Sequence, residues 1–194
     1  MKPTLLSRLT LGVILWLYRR QGWTLSGHAP DTRKCVLLGF PHSTNWDFIF
    51  FLGAVHQLGI KPSFMGKVSL FKWPMTRFMH DMGGIPVDRS RKGDYVSAVA
   101  REFSIRDDLS LVMAPEGTRS GAEGWRSGFY YIAHQAGVPI VPAWVDHENK
   151  RGGIGPAIMP TGDYAADLAK IADFYRSVLP GNPRVDLIQK GTQP

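Results

Sequence analysis

The feature that most constrains the fold of this chain is its alternation of short apolar segments with helical patterns. Apolar runs with the length of buried strands occupy residues 33–40, 62–67, 109–114 and 138–144, and residues 83–89 form a turn into a shorter strand. Apolar positions at helical spacing occupy residues 46–58, 95–103, 129–135 and 164–178. Alternating strands and helices predict the α/β class: a single domain whose largely parallel mixed sheet is flanked by helices.

Polar side chains follow three of the predicted strands, at the point where each strand ends. The pairs are His42 with Asp47, Asp88 with Arg89, and Glu116 with Arg119. In parallel sheets, binding and catalytic sites form at the carboxyl ends of the strands. We therefore expect these groups to contribute to one site.

His42 and Asp47 bracket a predicted strand-to-helix turn. On a continuous helix, residues five positions apart diverge by roughly 140°, so the two side chains meet only if His42 stands in the loop and Asp47 in the first turn. Ser43 and Thr44 are suitable N-caps for that arrangement. The pair then forms a histidine general base oriented by a carboxylate. The spacing equally fits a loop histidine and a carboxylate that complements the helix dipole.

The segment after the strand at 109–114 has the residues of an anion site. Gly117 permits a tight turn, Thr118 offers a hydroxyl, and Arg119 offers a planar fork suited to phosphate. Glu116 can orient Arg119 through an ion pair, and Arg89 can supply a second cation. The alternative is an ordinary polar loop held by a Glu–Arg pair. No G-x-S-x-G elbow and no Walker-type glycine loop is present.

Charge and cysteine content narrow the possible partners. The chain of 194 residues carries a net charge of +7, which favours an anionic partner: nucleic acid, phospholipid headgroups or a phosphorylated metabolite. Its single cysteine, Cys35, lies in an apolar strand pattern, which predicts a buried structural thiol and a reducing compartment. No Cys/His cluster has the spacing of a zinc site, so no metal is expected.

The N-terminal segment 5–18 predicts a short amphipathic helix, with Leu5, Leu9, Val13, Trp16 and Leu17 on one face. Fourteen residues rise about 21 Å, less than the roughly 30 Å hydrocarbon core. Arg8 interrupts the apolar run, and no cleavage site follows, which argues against a signal peptide. Such a helix either packs on the domain or lies in a membrane interface.

A second aromatic and cationic stretch occupies residues 70–79 and contains Trp73 and Pro74. Its aromatics and cations suit nucleic-acid stacking, a membrane interface, or a core with solvated cations. The proline should end or kink any helix here. The residues alone leave these three interpretations open.

Four motifs in order resemble those of the glycerophosphate and lysophospholipid acyltransferases, in particular the bacterial 1-acylglycerol-3-phosphate acyltransferases. That family has Asn-His-x4-Asp, a glycine followed by Ile and Arg, Phe-Pro-Glu-Gly-Thr-Arg-Ser, and Val-Pro-Ile-x-Pro. The matching residues are His42 and Asp47; Gly84, Ile85 and Arg89; Pro115 to Ser120; and Val138 to Pro142. Pro41 replaces the usual Asn, and Ala114 replaces the usual Phe. Both departures lie beside a motif and bear on substrate preference more than on reaction type.

The resemblance implies a role for each matching residue. His42 would deprotonate the acceptor hydroxyl, and Asp47 would orient its imidazole. The acceptor phosphate would be bound by Glu116, Gly117, Thr118 and Arg119, assisted by Arg89, with Lys67 and Pro139 as supporting residues. No metal and no cofactor is implied, because acyl-CoA or acyl carrier protein enters as the acyl-donor substrate.

The implied function is acyl transfer from that thioester to a lysophospholipid, with 1-acylglycerol-3-phosphate giving phosphatidic acid. The expected organisation is a membrane-interface helix and connector at 1–30, an acyltransferase domain at 31–180 and a tail at 181–194. The expected location is the cytoplasmic face of the cell membrane, on an anionic surface, without nucleic acid. Three alternatives remain: another acceptor such as a lyso-aminolipid, a non-catalytic membrane-binding module of the same fold, and a basic nucleic-acid binder.

Overall fold

A seven-stranded sheet forms the centre of the part of the chain that the computed structural model describes, residues 3–42, 46–88, 95–116 and 124–190. For residues 46–48, 189 and 190, only the backbone is described. The strands are β1 (Thr24–Ser26), β2 (Lys34–Phe40), β3 (Pro62–Lys67), β4 (Gly84–Val87), β5 (Leu109–Met113), β6 (Ile140–Asp146) and β7 (Arg151–Ile154). Their order across the sheet is β1-β7-β6-β2-β5-β3-β4. Among these strands, β6 and β7 pair antiparallel and all other neighbours pair parallel, which confirms the predicted fold class.

The predicted helices are present, with small shifts of their ends. The α-helices are α1 (Leu5–Arg20), α2 (Trp46–Gln57), α3 (Thr76–Asp81), α4 (Tyr95–Ile105), α5 (Gly128–Ala136) and α6 (Tyr164–Val178). Two 3-10 helices occupy Val68–Phe71 and Val185–Lys190. Side-chain caps define two helix starts, because Thr4 accepts a hydrogen bond from the Ser7 N–H and Asp163 accepts one from the Ala166 N–H.

Helices cover both faces of the sheet, and the side chains of β2 alternate between two cores. Val36, Leu38 and Phe40 pack into the larger core with α4, α5 and α6. Cys35 and Leu37 face the opposite side, in the core that includes Val55 of α2. Because both faces of β2 are covered, the strand is a continuous apolar run rather than an alternating one.

Helix α1 packs on α2, outside the layer next to the sheet. A Cβ built on Gly53 would lie 2.2 Å from Tyr18 Cγ, so α2 needs a glycine where the Tyr18 ring rests on it. The opposite face of α1 is exposed and carries the apolar residues Leu5, Leu6, Leu9, Val13 and Trp16. The helix therefore packs on the domain and also leaves an apolar face in solvent. Among the described residues, none of the helices combines the length and apolar character needed to cross a bilayer.

Strands β1 and β7 were not predicted from the sequence. β1 is only three residues long, and β7 contains two glycines, which strands normally disfavour. The packing requires them: a Cβ on Gly152 would lie 2.5 Å from the Phe50 ring, and one on Gly153 would lie 2.4 Å from the Ser26 carbonyl oxygen. Close approach of neighbouring groups thus selects residues with low strand propensity.

The segment expected to be a tail, 181–194, packs on the domain in its described part, up to residue 190. Val185 and Ile188 are buried in the larger core, and the 3-10 helix that carries them packs against α6. Two apolar side chains three positions apart were too short a pattern to predict a helix.

Candidate functional site

The candidate site lies at the carboxyl edge of the sheet, where β2 and β5 end side by side. His42 follows β2 by two residues, and Glu116 follows β5 by three. Leu38 pairs with Met113, so His42 and Glu116 lie four and three residues beyond the same point of the β2–β5 pairing. The prediction that these two strand ends meet is confirmed.

Glu116 is a buried carboxylate that connects three segments. Its Oε2 accepts a hydrogen bond from the backbone N–H of His42 at 2.6 Å, and its Oε1 accepts one from Arg184 Nη1 at 3.0 Å. The same Arg184 Nη1 donates to the His42 carbonyl oxygen at 3.2 Å. The N–H and the C=O of His42 are therefore both bonded to one ion pair, whose carboxylate is buried.

An apolar cavity of about 160 Å³ opens beside His42, between α2 and the sheet. Its lining is nearly all apolar and includes Phe40, Phe51, Val55, Met113 and Trp144. His42 is the only titratable residue among the described residues that line it. A histidine in the lining of an apolar cavity is suited to a site for a molecule with a long apolar part.

Both departures from the family motifs, Pro41 and Ala114, also line this cavity. On the other side of the β5 end lies a wider cavity of about 540 Å³, whose lining includes Tyr95, Arg126 and Phe129. Val112, Met113 and Ala114 line both cavities, so the end of β5 forms the wall between them.

Several predicted site residues lie outside the described part of the chain. Arg89, Gly117, Thr118 and Arg119 are among them, as are the two predicted N-caps Ser43 and Thr44. Asp47 belongs to the first turn of α2 by its backbone, but its side chain is not described. The pairing of His42 with Asp47 and the phosphate site thus stay predictions.

The remaining predicted residues lie farther from His42. Lys67 ends β3 at the same edge and is exposed. Asp88 follows β4, the edge strand, which is three strand positions, about 14 Å, from β2. Pro139 precedes β6, and its carbonyl accepts the N–H of Val36, so it stands at the amino end of the sheet. Because β6 runs parallel to β2, the cavity is lined by Ala143 to Val145, while Pro139, expected as a supporting residue, lies at the opposite end of β6.

Cys35 has no part in the site. It is fully buried beneath α2, and burial raises the pKa of its thiol. The prediction of a buried structural thiol is confirmed.

Comparison of the sequence with known protein families identifies the family of this chain. The family model described as Acyltransferase matches residues 25–146, which include β2, the His42 turn and the segment through Glu116. The chain belongs to the acyltransferase family. In this acyltransferase-family protein, α1 and α6 lie outside the matched residues.

Curated relatives carry the name 1-acyl-sn-glycerol-3-phosphate acyltransferase. The protein of Limnanthes alba is 28% identical over 141 residues, covering 68% of this chain and 47% of its own length. That of Haemophilus influenzae is 32% identical over 137 residues, covering 65% and 55%. The matched part of the chain thus spans about half the length of these relatives.

A solved structure shares the fold. The 1-acyl-sn-glycerophosphate (LPA) acyltransferase PlsC of Thermotoga maritima superposes with a TM-score of 0.59, covering 91% of this chain and 82% of that one. The two are 16% identical, so this likeness concerns the architecture.

The sequence analysis missed Arg184. It lies 68 residues from Glu116 along the chain, in the segment expected to be a tail, and outside the family match. A lone cation in a polar segment has no distinguishing pattern, so only the folded chain reveals its contact with the site.

Proposed function

We propose that this protein transfers a fatty acyl group from acyl-CoA or acyl carrier protein to the free hydroxyl of a lysophospholipid. The proposed acceptor is 1-acylglycerol-3-phosphate, with phosphatidic acid as the product. The observation that carries the proposal is His42 in the lining of an apolar cavity in a chain of the acyltransferase family. The names of the curated relatives support this acceptor.

The proposed mechanism needs one general base and no acyl-enzyme. His42 takes the proton of the acceptor hydroxyl, while Asp47 holds the imidazole in orientation. The oxygen attacks the thioester carbonyl carbon, the C–S bond breaks, and the departing thiolate receives the proton from His42. Such base catalysis typically contributes about 10²–10⁴-fold. The acyl chain occupies the apolar cavity, which lets the carbonyl lie near His42.

In the proposal, the acceptor phosphate is bound by the motif residues that follow β4 and β5. Arg119 supplies a planar fork, Gly117 and Thr118 supply backbone and hydroxyl donors, and Arg89 adds a cation. Their support is the family resemblance and their place after strands that end at the site edge.

A membrane surface is the proposed place of action, on the cytoplasmic face of the cell membrane. The exposed apolar face of α1 and the exposed Trp73 are suited to the interface. The net charge of +7 favours an anionic leaflet, where each nearby cation is worth about 1 kcal/mol.

The test is an acylation assay with the purified chain, a long-chain acyl-CoA and a panel of lyso acceptors. We expect transfer to 1-acylglycerol-3-phosphate, and a loss of about 10²-fold or more in the His42→Ala variant. Binding to anionic liposomes should persist in that variant. Unchanged transfer by His42→Ala would refute the mechanism, and liposome binding without transfer by the wild type would favour a non-catalytic module.

A second acceptor class, a lyso-aminolipid, is favoured by one observation. Pro41 and Ala114, which depart from the family motifs, both line the cavity beside His42. In the same panel, a preference for an acceptor without phosphate would replace 1-acylglycerol-3-phosphate as the proposed acceptor. Tight, salt-dependent binding to nucleic acid without lipid binding would refute both.

A further inference from the structure

Both carboxylate oxygens of Glu116 accept hydrogen bonds from described residues of the protein itself. One oxygen accepts the His42 N–H and the other accepts Arg184 Nη1. The Glu116 side chain is only 6% exposed. A buried carboxylate whose two oxygens already have donors is poorly placed to contact a substrate, and its negative charge opposes a phosphate.

Arg184 completes a closed ring of three contacts around the His42 peptide. Its Nη1 bonds Glu116 Oε1 and the His42 carbonyl oxygen, while Glu116 Oε2 bonds the His42 N–H. Each end of the His42 residue is thus bonded to one member of an ion pair. Charge-assisted bonds of this kind are stronger than neutral ones and restrict the backbone that carries the imidazole.

Arg184 is itself held by the packing of the C-terminal segment. Its N–H donates to Asn182 Oδ1 at 3.0 Å, and its carbonyl accepts the Leu187 N–H in the following 3-10 helix. The next residue, Val185, is buried, and so is Ile188. The backbone that carries the Arg184 guanidinium is therefore anchored to the core.

We propose that Glu116 and Arg184 are positioning residues that hold the His42 backbone in the geometry for proton transfer. The inference rests on the proposed function, and it revises the role of Glu116 from acceptor binding to support of the general base. Displacement of a reacting group by about 1 Å costs on the order of 10²-fold in rate. Loss of either residue should therefore lower kcat while the KM for donor and acceptor changes little.

The kinetic test compares Arg184→Gln, Arg184→Lys and Glu116→Gln with the wild type in the acylation assay. We expect kcat to fall about 10- to 100-fold in Arg184→Gln, with partial recovery in Arg184→Lys, which keeps the charge. A role in acceptor binding would instead raise the KM for the acceptor.

A matched control is Arg106→Gln. Arg106 pairs with Glu102 at the end of α4 and is 35% exposed, close to the 28% of Arg184. It precedes β5, at the edge of the sheet opposite to His42. We expect its kcat to equal that of the wild type.

A second measurement, the NMR signal of the His42 amide, does not depend on acyl transfer. In protein labelled with ¹⁵N-histidine, the His42 amide is assigned by its absence from the His42→Ala spectrum. We expect its proton signal to lie far downfield, because it donates to a carboxylate at 2.6 Å, and to move upfield in Glu116→Gln and Arg184→Gln but not in Arg106→Gln. If Arg184→Gln does not fold, Arg184→Lys is measured in its place.

The outcomes separate the two proposals. An unmoved His42 amide signal, or a wild-type kcat, in the Arg184 variant overturns the positioning role. If the wild type transfers no acyl group to any acceptor, the proposed function fails, and the amide signal alone then decides whether Arg184 holds the His42 peptide.

Discussion

At the scale of single residues, Asp167 shows how one buried carboxylate joins separate segments. It accepts hydrogen bonds from the Tyr130 hydroxyl, the Thr161 N–H and hydroxyl, and Lys170 Nζ, at 2.6–3.0 Å. Burial by itself would raise the pKa of Asp167, but these donors lower it to about 2. The charged form is therefore the one that the fold uses to attach α6 to α5.

Replacing Asp167 with Asn should destabilise the protein by about 2–3 kcal/mol, since bonds to a charged group are lost. The folded pKa lies below the ordinary value of 3.8, so the contribution of the charge is present above pH 3.8 and is lost as the pH falls toward 2. Urea unfolding of wild type and Asp167→Asn across this range measures the difference. A difference that does not shrink below pH 3.8 would contradict the assignment.

The control for this variant is Asp173→Asn, on the same helix. Asp173 pairs with Arg176 on the surface and is 73% exposed. Exposed pairs contribute little, so we expect a change below about 0.5 kcal/mol.

At the scale of elements, α1 is fastened to α3 at its start and to α2 along its length. Asp81 of α3 accepts the Thr4 N–H and the Ser7 hydroxyl, each at 2.8 Å. The Thr4 N–H makes the largest contribution to lowering the pKa of Asp81 to about 2. The helix is thus held against the domain with a defined rotation, which keeps its apolar face, including Leu9 and Val13, directed outward.

The double variant Leu9→Asp/Val13→Asp should weaken binding to anionic vesicles by about tenfold or more. It removes two apolar side chains from the proposed interface and adds two negative charges. Sedimentation with vesicles of phosphatidylglycerol and phosphatidylcholine measures the effect. Ile105→Asp is the control, because Ile105 on α4 is as exposed, 64% against 59% for Leu9. Equal binding by the double variant and the control would exclude α1 from the contact.

At the scale of the whole molecule, the C-terminal segment 181–190 contacts both the candidate site and the larger core. Arg184 reaches Glu116 and His42, while Val185 and Ile188 fill the larger core. A contact between Arg184 and His42 spans 142 residues of the chain. Residues near the two ends of the folded chain, α1 and this segment, therefore contact its central elements.

Deleting residues 181–194 should lower the free energy of unfolding by about 3–5 kcal/mol, the value of exposing two large aliphatic side chains. Deleting only residues 191–194 removes neither these side chains nor Arg184 and should have a smaller effect. Urea denaturation of both truncated proteins measures this. Equal stability of the two would show that the segment does not belong to the core.

Most of the fold is predictable because β2, β5 and β6 are apolar on both faces and the helices between them have regular apolar spacing. β1 and β7 are not predictable. β1 is very short, and β7 contains glycines, which have low strand propensity but are required by the nearby Phe50 ring and Ser26 carbonyl. Within the site, His42 and Glu116 are predictable because both follow apolar strands, whose carboxyl ends meet at one edge.

The sequence by itself determined the class of fold, the edge of the sheet that carries the candidate site, and the family that the motifs resemble. The fold class and the edge depend on periodicity and local spacing, and the family depends on the resemblance of four motifs, all of which a linear chain displays. Tertiary structure alone decided that Glu116 bonds the His42 peptide and Arg184, that Pro139 stands at the opposite end of the sheet, and that the C-terminal segment is core. Those facts depend on which distant segments meet, and a contact between residues 142 positions apart leaves no periodic signal in the sequence.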